Sequence, residues 1–127
     1  GHPSLPSNLY AFTPAANAGA KEPKLKGQLC YGWNISSNAA TALEKTGGKI
    51  HLEYLLDAYK LFPDKNNFFL PSKSGLDKDY FFNKLAGNNI LMQQIKQGKS
   101  AAEICKSWQP GIDAFKKIRA KYLLYAE

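Results

Sequence analysis

The chain has 127 residues, 44% of them hydrophobic and 21% charged, with a formal net charge of +7 and two cysteines. This is enough for one domain with a real core, and it excludes a disordered tail, a disulfide-framed mini-protein and a membrane-spanning segment, since no apolar run approaches bilayer length. The charge favours anionic partners without choosing among nucleic acid, acidic lipid and acidic polysaccharide; the absence of zinc-finger spacing, of an aromatic RNA-binding signature and of a basic recognition helix argues against nucleic acid.

Residues 1–26 carry four of the seven prolines and are rich in Ala, Asn, Ser and Gly, so they are expected to form an irregular arm laid over the remaining domain, 27–127. The start GHPSLP, without a methionine, is read as that of an excised piece or processed product. Tyr10 and Phe12 lie two apart, as a short extended piece would place them on one face, and Thr13-Pro14 closes that piece. Gly27 to Ser36 alternates Leu29, Tyr31, Trp33 and Ile35 with Gln28, Cys30, Gly32 and Asn34, the two-residue period of a strand. Gly32 leaves room there for a bulge, another backbone or a ligand.

Ser37 to Gly48 reads as a loop with at most one helical turn. From Lys49 a helical period sets in, burying Ile50, Leu52, Tyr54, Leu55, Ala58, Tyr59 and Phe62 until Pro63 stops it. Asn66 to Leu70 is expected to be a second strand or extended stretch and Ser72 to Lys78 a loop. Asp79 is placed as the cap of a short helix Tyr80 to Ala86 closed by Gly87, and Asn88 starts another, Asn89 to Gln97, closed by Gly98. SAAE at 100–103 is a capping box. It opens the longest helix, whose apolar positions Ala101, Ile104, Cys105, Trp108, Ile112, Phe115 and Tyr122 keep one phase across Pro110, which favours one kinked helix over two. Lys116, Lys117, Arg119 and Lys121 suit the negative end of its dipole. The final Tyr122-Leu-Leu-Tyr leaves the helical period and is expected to join the sheet as an extended segment. The sum is an α+β domain: a small, mainly antiparallel sheet covered by about four helices, with an irregular N-terminal arm.

The chemistry-bearing residues are sparse. Glu44, Glu53, Asp57 and Glu103 each have a simpler place in a loop, on a wet helix face or in a cap, and neither histidine has a nucleophile beside it in sequence. No metal-ligand spacing surrounds His51, and no glycine-rich phosphate loop follows a strand, so no metal and no cofactor are expected. Cys30 and Cys105 share no motif; two free thiols packed in apolar surroundings are the simpler reading, a disulfide the other. What stands out is the aromatic content, with Tyr10, Phe12, Tyr31, Trp33, Tyr80, Phe81 and Phe82 at arm, strand and loop edges, where rings fill a core or stack on sugar faces.

The pieces GHPSLP, YAFTP with GAKEP, KGQLCYG, LEYLLDAYKLFP, FFNKLAG, QIKQGKSAAEI, SWQPGIDAFKKIR and KYLLY, in that order, resemble the C-terminal domain of the bacterial exo-β-N-acetylmuramidase (NamZ-type) family, first known as a domain of unknown function. The resemblance covers nearly the whole chain. It implies a companion domain of a glycoside hydrolase that removes terminal N-acetylmuramic acid from peptidoglycan fragments in cell-wall recycling. The catalytic carboxylate would then lie in a Rossmann-like domain upstream, with no catalytic residue in this chain. The expected partners are that upstream domain and peptidoglycan fragments, and the expected location is periplasmic or exported. Phe12, Pro14, Tyr31, Trp33 and Asn34 are the residues assigned to the surface nearest the substrate cleft, which the domain would wall on one side. Asn34 and Asn83 stand where the family pattern has aspartate, and Met92 where it has arginine. A stand-alone carbohydrate-binding module and a purely structural domain are the alternatives.

Overall fold

The computed structural model describes residues 1–76 and 79–125. It is an α+β fold with an antiparallel pair of strands, β1 (Tyr10–Phe12) and β2 (Cys30–Gly32), and six helices among the described residues: α1 (Ala39–Thr46), α2 (Glu53–Leu61), α3 (Lys65–Phe68), α4 (Phe81–Ala86), α5 (Ile90–Lys96) and α6 (Ala101–Arg119).

The register pairs Tyr10 with Gly32, Ala11 with Tyr31 and Phe12 with Cys30. On the other edge of β2, His2 exchanges both backbone bonds with Tyr31, at 3.0 and 3.2 Å, so β2 is the centre of a three-ply ribbon. The room left by Gly32 is used by another backbone. A Cβ there would stand 2.9 Å from Gly1 Cα, and one on Gly1 would stand 2.5 Å from the Phe12 ring and 2.6 Å from the Tyr31 carbonyl oxygen. These two glycines are required by close approach rather than by their backbone angles.

β2 is shorter than its alternation suggests. On one side Leu25 and Gly27 take positive φ, 61° and 74°, and turn the chain. On the other, Asn34 Oδ1 accepts from the Ser36 amide at 3.0 Å, a local turn that withdraws the backbone from pairing.

The stretch read as a loop, 37–48, holds an eight-residue helix, α1. Asn38 Oδ1 accepts from Thr41 N and Gly47 closes the last turn at φ 57°. Alanines and caps stabilise α1 with no buried residue, so it has no apolar period to be read. Asn66 to Leu70 is likewise not a strand: Asp64 accepts from Asn67 N and winds one turn, α3, and only Phe69 after it is extended. Local side-chain bonding overrides β propensity here. Asp79 does not cap α4; its carboxylate accepts from Ser74 Oγ at 2.5 Å, while Tyr80 holds the cap position without a side-chain bond. Asn88 starts α5 as expected, accepting from Ile90 N and Leu91 N at 2.9 and 3.2 Å, while Asn89 holds the cap position without a side-chain bond. Tyr122 to Tyr125 does not join the sheet: an Arg119–Tyr122 turn leads it out into solvent, with Tyr125 82% exposed.

Leu52, Phe69, Met92, Ile95 and Ile104 form the core, with Tyr59, Phe68, Phe82 and Trp108 packed around it. Phe69 is its hub, with ring centroids 5.8 Å from Tyr59, 4.9 Å from Phe68 and 4.8 Å from Phe82. α6 starts with the capping box, Ser100 and Glu103 bonding reciprocally, and runs through Pro110 as one helix. Both cysteines are free thiols, Cys30 buried and Cys105 half-buried.

Candidate functional site

The arm and β2 carry the five residues assigned from sequence, and the register decides how they group. Residues directly opposite in an antiparallel pair point to the same face. Phe12 therefore shares a face with Tyr10, Cys30 and Gly32, while Tyr31 projects from the other, with Ala11. The Phe12 ring lies over the Gly1–Gly32 contact and stacks on Tyr10, with centroids 6.4 Å apart and planes at 19°. Tyr10 is 54% exposed, so this face offers a short aromatic shelf to solvent.

Trp33 belongs to a second group. Its ring lies 6.0 Å from Tyr54 on the first turn of α2, and Tyr54 lies 4.9 Å from His51, whose Nδ1 is 3.3 Å from a Glu53 carboxylate oxygen. Nothing in the sequence linked His51 and Tyr54 to Trp33, because the helical period gave Tyr54 a place on a buried face and His51 a place before it. Trp33 is thus half-buried and ties the strand to α2 as well as presenting an edge. Pro14 and Asn34 shape the local backbone: the Pro14 carbonyl accepts from Gly27 N at 2.9 Å and closes the arm's long loop, and the Asn34 side chain forms the turn already described. Phe12 and Tyr31 lie on opposite faces, so the five do not converge on one pocket.

A groove lies elsewhere. About 650 Å³ in volume, it runs between α2 and the α5–α6 junction past Asp57, Lys60, Lys65 and Ser100. Its cation at Lys65 is committed to structure, since Nζ donates to the carbonyls of Tyr59, Lys60 and Phe62 at the end of α2. The α6 N-terminus beside it is closed by the Glu103 carboxylate, which accepts from Ser100 N at 2.8 Å and Ser100 Oγ at 2.6 Å. Those bonds to Ser100 hold the Glu103 carboxyl below the ordinary glutamate range, with Lys99 adding to the shift.

Several other carboxylates are similarly employed. Asp64 caps α3, Asp79 takes Ser74, Asp113 accepts from Gln109 at 2.7 Å and Glu22 pairs with Lys26 at 2.9 Å. Among the described residues no three His, Cys, Asp or Glu side chains gather as a metal site would require, and no helix is long and apolar enough to cross a membrane. Chemically, the surface can present ring faces and backbone edges, and two carboxylates, Glu53 and Asp57, one helical turn apart on α2, line the groove.

Comparison with known proteins gives this surface a context. Residues 3–125 match the family model of the C-terminal region of exo-β-N-acetylmuramidase NamZ. Over 125 residues the chain is 28% identical to the peptidoglycan β-N-acetylmuramidase NamZ of Bacillus subtilis, covering 97% of this chain and 26% of that protein. The crystal structure of a DUF1343 family protein from Bacteroides fragilis superposes with a TM-score of 0.74 at 35% identity, covering 99% of this chain and 33% of that one. The chain therefore spans about a quarter to a third of the length of these relatives.

Proposed function

The chain belongs to the NamZ C-terminal family, and from that premise we propose that it is the accessory domain of a peptidoglycan-recycling exo-β-N-acetylmuramidase, working in the periplasm or outside the cell. The match across residues 3–125 carries the reading. The parent enzyme releases terminal N-acetylmuramic acid, and the acid and nucleophile reside in the part of the polypeptide beyond this domain. That division fits a chain in which Asp64, Glu103 and Asp113 serve caps and local pairs. In this reading the domain packs on the catalytic half and walls one side of the substrate cleft with the ring surfaces of the arm and β2. The Tyr10–Phe12 shelf and the edge of Trp33 supply flat apolar faces of the kind on which pyranose rings stack.

The test is hydrolysis of a chromogenic β-N-acetylmuraminide by the parent protein and by this chain alone. Turnover by the parent only is the expected result. Turnover by the chain alone overturns the assignment of catalysis to the missing part, and silence from both removes the activity. Within the parent, Tyr10→Ala and Trp33→Ala should raise KM more than they lower kcat, because they remove binding made alike in ground and transition states. Unchanged kinetics would detach the ribbon from the cleft and leave a purely structural domain.

A further inference from the structure

The apolar face of α6 has two halves. Over its first two turns Ile104 is fully buried in the core, with Cys105 and Trp108 packed against it. The same phase then continues through Ile112, Phe115 and Ile118, which are 41%, 59% and 57% exposed. Trp108 joins the halves, for it also lines a hollow of about 410 Å³ that Ile50 and Leu85 border. Ile50 and Leu85 are themselves 70% and 72% exposed. One continuous apolar surface thus runs from that hollow along the remainder of α6, about 16 Å at helical rise. Apolar side chains held in phase on a solvated helix mark a contact surface, not a scatter of single exposures.

We propose that this surface is where the rest of the parent polypeptide docks; the inference rests on the accessory-domain reading and names the face it uses. Two observations select that occupant. The relatives extend far beyond the matched part, this chain covering 26% and 33% of their length, so a larger body exists in them to cover it. Charge disfavours a second copy: the chain carries +7, and Lys116, Lys117 and Arg119 lie along the same turns, so self-pairing sets like charges together. An apolar strip with a basic margin fits a permanent interface whose opposite rim is acidic. Docking and substrate contact then use different parts of the domain, α6 for the first and the ribbon for the second.

Thiol labelling in the full parent tests this. In a Cys105→Ala background, Phe115→Cys and Ile118→Cys should react with a maleimide at least roughly ten-fold more slowly than Lys106→Cys on the exposed side of the same helix. The protection should not depend on protein concentration. Equal rates overturn the proposal, and protection lost on dilution gives the surface to a second copy. Hydrogen exchange in the unsubstituted parent avoids any folding defect: amides of residues 112–119 should exchange at least about ten-fold more slowly than those of α1, a helix that buries no residue, and equal exchange overturns the docking. A parent that hydrolyses muraminide while leaving Phe115→Cys freely reactive refutes this surface alone. A protected but inactive parent refutes the activity alone.

Discussion

Asn83 sits on α4 and is 4% exposed, and Met92 on α5 is fully buried. Both are neutral side chains at buried positions, so a charge placed at either reads how this domain is held. Asn83→Asp is the cleanest perturbation, because aspartate has the shape of asparagine and opens no cavity; only charge changes. An ionised carboxylate brought to this depth loses its hydration, and the net cost after the hydrogen bonds it keeps is on the order of 3–5 kcal/mol. Set against a total stability of about 5–15 kcal/mol, that is a large fraction. For a domain of this size it corresponds to a fall in Tm of roughly 10–20 °C. Burial raises the pKa of the introduced carboxyl above its unfolded value. The penalty is therefore full above that raised pKa and disappears as the pH falls below the unfolded one. Thermal unfolding of the parent and the variant, measured at pH 7 and again near pH 4, reads this as a difference in Tm that shrinks in acid. Adding Met92→Arg should restore part of the loss if the two positions can meet. A variant that melts within about 2 °C of the parent at pH 7, or a deficit that ignores pH, would refute the reasoning.

Two further outcomes follow from the packing. Gly32→Ala brings a Cβ to 2.9 Å from Gly1 Cα, a backbone atom that cannot rotate away, so the ribbon should lose about 1–3 kcal/mol and residues 1–12 should become sensitive to limited proteolysis. Glu103 has its folded pKa lowered by its bonds to Ser100. Its contribution is accordingly present above the unfolded glutamate pKa and lost as the pH falls through the folded one, so Ser100→Ala should flatten the acid limb of a stability profile followed by circular dichroism.

The α+β class, the α6 capping box and the Gly87 and Gly98 stops were legible because each is written in a local rule: a period, a cap or a glycine at positive φ. The errors share a cause. α1 is held by Asn38 and Gly47 without burying anything, and α3 by Asp64 bonding to Asn67, so neither leaves an apolar period for a reader to find. The candidate site suffered in another way. Alternation correctly put Tyr31 and Phe12 in extended backbone, but it could not supply the register, and it is the pairing of Ala11 with Tyr31 that turns Phe12 to the opposite face.

The terminal segment shows the same limit from the other side. Tyr122 to Tyr125 reads as apolar enough to be covered, and the inference that it joins the sheet follows if the covering must come from this chain. In the structure those residues, like Ile112, Phe115 and Ile118 before them, remain largely exposed. Periodicity reports that a face is built to be buried and says nothing of what buries it. A chain spanning a third of a solved relative leaves most of the available cover outside itself. The apolar phase was therefore read rightly through Trp108, while the burial expected of Ile112, Phe115 and Tyr122 is not met and Tyr122 lies beyond the end of α6; under the docking proposal those last turns are half of an interface.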